Sequence, residues 1–339
     1  MTETNFQSTD KVESDYPIAP ITFNHIKLDD QFWLPRLKVQ RKETIPFALK
    51  KTRPAVDNLR LTGAFLRGED APKPFSHRFV SSDLYKVMEG AAYSLALDRD
   101  AELEAEMDQL IQIIGQAQKD DGYLYVAHIC GIPHPSEMGE TPYSWVVHSH
   151  ELYNMGHMYE GAVAYFEATG KGEWLKIAEK SAQHINKVFF EGDVSYNDGT
   201  PVNQAPGHQE IELALCRLYR VTGNRLYLEM ARKFLEIRGR TYRPEGEDVM
   251  SPTYAQQHKP VKEQSQAVGH AVRAAYMYAG MADVTALSAD QTYVKALDRI
   301  WQNIVNTRMH ITGGLGAIHG IEGFGPEYQL PNEEAYNET

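Results

Sequence analysis

A chain of 339 residues, 42% of them hydrophobic and 24% charged, has the make-up of an ordinary soluble globular protein able to bury a large core. Its 34 basic and 46 acidic residues give a net charge of −12, which argues against a phosphate backbone or an anionic membrane as partner, so no nucleic acid is expected. No apolar run approaches the roughly eighteen residues of a membrane span, and the polar start of the chain has no signal-peptide core, so no membrane is expected and the cytoplasm is the default compartment. Nothing in the composition fixes an oligomeric state.

Residues 1–20 read as a polar arm, and residues 21–339 as one helical domain. Asp29 or Asp30 caps a first helix that continues to about Lys51, with Pro54 beyond its end. A Gly/Pro-rich loop follows, from Gly63 to Ser76. From there helical hairpins dominate, with small polar turns at Leu97–Asp100, Thr169–Lys171, Thr222–Asn224 and Ser288–Asp290. The helix before each turn is apolar on most faces, as a helix buried on both sides should be, and the helix after it is amphipathic. Turns centred on 98, 170, 223 and 289 are 72, 53 and 66 residues apart, too irregular for a solenoid of fixed period. Inner and outer helices alternating around a ring, an all-α (α/α)6 barrel, suit that spacing. A closed six-hairpin ring needs about twelve helices, and the pattern shows about nine, so the barrel is expected to be incomplete at its C-terminal end. The last 29 residues, from Ile311 through Gly313-Gly314, Glu322 and Tyr328 to Glu338, are Gly-rich and aromatic without a helical period, the mark of a long ordered loop that carries functional groups.

Cys130 and Cys216 are the only cysteines, too few for a disulfide framework and without Cys-x-x-Cys spacing. They read as one loop cysteine and one buried helix cysteine, and neither as a nucleophile. Three glycine–histidine pairs, Gly156-His157, Gly207-His208 and Gly269-His270, stand at the starts of successive inner helices, where their side chains would meet in one polar cavity. His150 and Tyr153, then Gln209 and Glu210, flank them. Imidazoles, carboxylates and aromatic faces together suit a carbohydrate, whose hydroxyls need hydrogen bonds and whose ring faces need stacking. No phosphate loop, dinucleotide fingerprint or Gly-x-Ser-x-Gly elbow occurs in a strand–turn–helix setting. Glu322 and Glu338 stand out among the carboxylates, because burial in the terminal loop could raise either pKa towards the general-acid range.

The terminal loop, Ile311-Thr312-Gly313-Gly314-Leu315-Gly316 with Glu322, Leu330-Pro331-Asn332 and Tyr336-x-Glu338-Thr339, resembles the signature of the β-L-arabinofuranosidases of glycoside hydrolase families 127 and 146. Further matches are Ser82-Asp83-Leu84-Tyr85-Lys86, Asp121-Gly122-Tyr123-Leu124, Ser149-His150-Glu151-Leu152-Tyr153, Pro206-Gly207-His208-Gln209-Glu210 and Ala267 to Arg273. The resemblance implies a retaining glycosidase with a zinc ion held by one glutamate and three cysteine thiolates, one of them the nucleophile. It assigns Glu322 as general acid/base, Glu338 as zinc ligand, and His157 (or His150), His208 and His270 as binders of the sugar. Neither Cys130 nor Cys216 occupies a matching position. Two other readings stay open: a helical sugar-binding fragment without turnover, and another α/α-barrel sugar enzyme of the uronyl hydrolase or epimerase type.

Overall fold

The computed structural model describes residues 14–75, 77–132, 138–241 and 251–335. Helix accounts for 59% of the chain, and among the described residues only isolated β-bridges form, which establishes the all-α class. Helices with few exposed residues alternate with amphipathic partners, as in an α/α barrel. No helix among the described residues is long and apolar enough to cross a membrane.

The chain divides into two compact units, the first made of Ala19–Ile211. Its opening helix runs from α1 (Trp33–Val39) through a π-turn at Gln40–Thr44 into α2 (Ile45–Lys51). The Asp30 carboxylate accepts the Phe32 and Trp33 N–H groups and so caps it, as the sequence suggests. Pro54 is not a terminator beyond that helix. It lies in the first turn of a further helix, α3 (Arg53–Leu66), where a missing N–H costs nothing and the fixed φ is already helical. Gly63 lies inside α3 rather than opening a loop, and a Cβ there would press on the Gln116 carbonyl at 3.2 Å.

Next come α4 (Val80–Leu97), α5 (Ala101–Gln116), the short α6 (Val126–Ile129), α7 (Glu151–Thr169) and α8 (Glu173–Asn186). Helix α7 packs along α4 and α8, and α3 packs on α4 and α5. Residues 151–159 of α7 are all buried, the inner-helix pattern read from its apolar sequence. The Asp100 carboxylate caps α5 through the Glu102 and Leu103 N–H groups. All four turns lie where the sequence puts them.

The second unit holds Glu212 onward, together with the chain's N-terminal residues up to Ile18. Its helices are α9 (Ile211–Thr222), α10 (Arg225–Ile237), α11 (Ala271–Ser288) and α12 (Thr292–Thr307). Asp15 is held by Arg220 at 2.8 Å, Tyr16 donates to Asp283 at 3.1 Å, and Ser14 donates to the Ala286 carbonyl at 2.7 Å. Phe324 of the terminal loop enters a core with Ala271, Ala274, Ile300 and Ile304, which makes the loop part of the packed structure.

Candidate active site

His150, His157 and His208 belong to the first unit, and His270 and Glu322 to the second. In the first unit, His150 is the residue at a helix start: it is the N-cap of α7 and sits in the left-handed region at φ 57°, which costs a non-glycine residue about 1–2 kcal/mol. Its neighbours hold it there. The Tyr125 hydroxyl donates to the Ser149 carbonyl at 2.5 Å, and the Asn154 amide donates to the His150 carbonyl at 2.8 Å. The buried Glu151 carboxylate accepts from the Tyr123 hydroxyl at 2.6 Å, the Ser149 hydroxyl at 2.7 Å and the Tyr143 N–H at 3.1 Å. Burial raises the Glu151 pKa against the pull of those donors.

The His150 and His208 rings lie 5.5 Å apart, with Tyr153 beside both at 5.5 and 4.2 Å. His150 Nδ1 donates to the His148 carbonyl at 2.6 Å, and His208 Nδ1 donates to the Gln209 carbonyl at 2.8 Å. In the neutral ring this makes Nε2 the acceptor, suited to a sugar hydroxyl. Lys86 stands 5.2 Å from the Tyr153 ring centre.

His157 is not at a helix start but in the second turn of α7, so the glycine–histidine pairs are not equivalent in place. Its ring meets Tyr153 edge-on at 4.6 Å, and its Nδ1 is 3.3 Å from a Glu210 oxygen. Burial, with Lys86 nearby, pushes its pKa down to about 3 and keeps the ring neutral. Gly156 explains the close approach: a Cβ there would run into Glu210 Cγ, with Glu210 backbone 3.1 Å away.

In the second unit, Gly269 takes φ +72° against the Tyr254 backbone and places His270 as N-cap of α11. His270 Nδ1 accepts the Arg273 N–H at 3.4 Å, so Nε2 carries the proton and donates to Glu322 Oε2 at 2.9 Å. Burial, then Arg273, pushes the His270 pKa down to about 4. The Ala271 N–H donates to the Glu322 carbonyl at 2.9 Å, tying the loop to the helix start. Tyr254 lies edge-on to His270 at 5.5 Å, with the Arg273 guanidinium 5.0 Å from its ring centre. The burial expected for Glu322 is not found. Its side chain is 46% exposed and sits on a left-handed backbone at φ 50°, where substrate and solvent can reach it.

Glu338 lies outside the described residues. Both cysteines are buried: Cys130 is 3.5 Å from the Thr62 hydroxyl, and Cys216 lies in α9. Burial pushes both thiols up, which favours the protonated form rather than a metal-bound thiolate. Among the described residues His157, Glu160 and Glu210 bring potential ligand atoms within 4.8 Å of one another, without a thiol. The described side chains therefore do not form the zinc–thiolate set implied by the resemblance.

The sequence singles out the histidines, Tyr153 and Glu322 but gives no role to Lys86, Tyr254 or Arg273. Lys86 and Arg273 close two of the matched motifs, and that was their one signal. Tyr254 had none.

Histidines grouped around a tyrosine in one unit, and a histidine against a solvent-reachable glutamate in the other, suit a carbohydrate-active domain. Residues 25–339 match the family profile of the β-L-arabinofuranosidase GH127 catalytic domain, and the chain belongs to that family. It is 38% identical over 279 residues to a non-reducing end β-L-arabinofuranosidase of Bifidobacterium longum subsp. longum, covering 77% of this chain and 41% of the relative. A solved GH127 β-arabinofuranosidase superposes with a TM-score of 0.86 at 43% identity, over 96% of this chain and 49% of the other. A GH127 β-L-arabinofuranosidase from Geobacillus stearothermophilus T6 gives 0.81 at 37% identity, over 92% and 50%. The chain thus spans about half the length of these relatives or less.

Proposed function

We propose that residues 21–339 are the acid-bearing part of a retaining glycosidase that releases β-L-arabinofuranose from plant-derived, arabinose-containing glycans. The observation that carries this reading is the contact between His270 and Glu322. A neutral imidazole whose Nδ1 is occupied by a backbone N–H directs its Nε2–H at a carboxylate that solvent can reach. Such a carboxylate can give a proton to a departing glycosidic oxygen and take one back from water, and the His270 N–H steadies its ionised state between the two steps. Within the first unit, His150, His157, His208 and Tyr153 offer aromatic faces suited to a sugar, and in the neutral ring Nε2 of His150 and His208 would accept from a hydroxyl. Zinc held by Glu338 and thiolates would supply an activated sulfur, but Cys130 and Cys216 are not the residues to provide it. Support for the substrate comes from the family and from the activity of the Bifidobacterium relative.

The test uses the polypeptide expressed from its own coding sequence. Glu322→Gln should lower hydrolysis of an alkyl β-L-arabinofuranoside by about 10²–10⁴-fold, because a poor leaving group needs the proton. The p-nitrophenyl analogue, whose phenolate leaves unaided, should lose much less. Equal losses on both would remove Glu322 from the acid role. The two buried, protonated thiols also support the second reading, sugar binding without turnover. Calorimetric binding of L-arabinose by the 339-residue chain without hydrolysis of either arabinofuranoside would favour it.

A further inference from the structure

A cavity of about 410 Å³ lies within the second unit, beside the backbone that leads into His270 and Glu322. Its wall includes Gly269, the residue before His270, and Ile321, the residue before Glu322. The rest combines hydroxyls (Ser251, Thr253), aromatic rings (Tyr254, Phe324) and one cation, Arg308. Volume and lining are those of a site for a small polar ring compound.

Arg308 is the unusual member. Only 8% of it is exposed, and it makes no ion pair among the described residues. Its Nη1 donates to the Gly325 carbonyl, while Nε is buried with no hydrogen-bond partner among the described residues. Glu327 influences it electrostatically, but that carboxylate is engaged by the Asn303 amide at 2.9 Å and the Gln266 amide at 3.3 Å. A nearly buried guanidinium with donors to spare and no carboxylate partner among the described residues is costly to keep, and an arriving anion would compensate it. With one nitrogen spent on Gly325, the planar fork still offers two donors, matched to the two oxygens of a carboxylate.

Position decides which part of a substrate this would be. A general acid protonates the oxygen of the leaving group, so the space beside Glu322 receives the leaving group. We propose that this cavity is the leaving-group subsite and that Arg308 binds a carboxylate there, which makes a uronic acid the favoured neighbour of the arabinofuranose that is removed. The proposal rests on the reading of Glu322 as the acid for its direction, and on Arg308 for its chemistry.

The experiment measures binding to the 339-residue chain by ligand-observed NMR and calorimetry, with methyl α-D-galacturonate and methyl α-D-galactoside as probes that differ only in carboxylate against hydroxymethyl. The uronate should bind about tenfold or more tightly, and added salt should weaken that preference. Arg308→Gln should cost the uronate about 10–100-fold and leave the galactoside within about twofold. Arg308→Lys, which keeps the charge but loses the fork, should fall between. Equal binding of the two probes to the unaltered chain overturns the proposal without need of any variant, as does a preference that survives Arg308→Gln. Inorganic phosphate displacing the uronate at equal concentration would show a general anion site and overturn the uronic-acid assignment. Glu322→Gln should keep the preference. Failure of the acid reading would therefore appear in the leaving-group assay alone, and failure of this proposal in the probe pair alone.

Discussion

Glu151 and Glu322 are both glutamates beside a histidine at the start of an inner helix, and both regions contain a residue held in the left-handed backbone region. Their surroundings are opposite. Glu151 is buried and accepts from two hydroxyls and a backbone N–H, so its oxygens are committed to holding the entry to α7. Glu322 keeps 46% of its side chain exposed and takes one hydrogen bond from a neutral imidazole. A carboxylate with all its acceptor sites filled is a brace, whereas one with a single partner and access to solvent can exchange a proton. Proximity to histidine alone would not have told them apart.

The contrast breaks most readily at the brace. Glu151→Ala should destabilise the protein by about 3 kcal/mol or more in a denaturant titration, because it leaves buried donors from Tyr123, Ser149 and Tyr143 without an acceptor. A loss below about 1 kcal/mol would mean that Glu151 is not the brace described.

Acid should weaken both regions. His157 and His270 have pKa values pushed down to about 3 and about 4, and His184 of α8 to about 4, each chiefly by burial. An unfolded histidine titrates near 6.5, so the unfolded chain binds more protons below that pH. The stability these neutral rings contribute is complete above about pH 6.5 and is lost as pH falls towards 4, at up to about 1.4 kcal/mol per pH unit for each ring. Thermal melts between pH 7 and pH 4.5 should show it, and His184→Phe should flatten the curve. An unchanged slope in that variant would show that His184 is protonated in the folded state.

Gly156→Ala sharpens the description of the first region. The new Cβ would meet Glu210 and force it away from His157, costing about 1–3 kcal/mol with the fold intact. A neutral effect would mean that Glu210 can move aside. The smallest expected effect belongs to the exposed carboxylate. Glu322→Gln should change stability by no more than about 0.5 kcal/mol, and a loss as large as that of Glu151→Ala would erase the distinction.

Much of this architecture was legible because it rests on local chemistry. Asp100 and Asn224 cap helices as their side chains predict, and Gly170 closes α7 in the left-handed conformation that a glycine after a helix suggests. Pro54 was misread for a physical reason: a proline both ends a helix and begins one, and only packing of α3 on α4 and α5 decides between them. The histidines were legible as a set but not in their places. His157 follows a glycine because Glu210 needs the room, and the histidine at the start of that helix is His150. Burial of Glu322 could not be judged from its glycine-rich surroundings, since exposure depends on how Phe324 anchors the loop. Arg308 gave no signal at all, because a lone arginine after a helix ordinarily points to water.

The anchored start of the chain has a consequence in time. Asp15 is separated from Arg220 by 205 residues, and Tyr16 from Asp283 by 267. At synthesis rates of about 5–20 residues per second, the Asp15 carboxylate waits about 10–40 s after its own incorporation before Arg220 is made. The whole of Ala19–Ile211 is synthesised during that wait. The N-terminal residues are therefore made first and docked late, and Asp15→Asn should act on the closing stage of folding while leaving the early collapse of the first unit untouched.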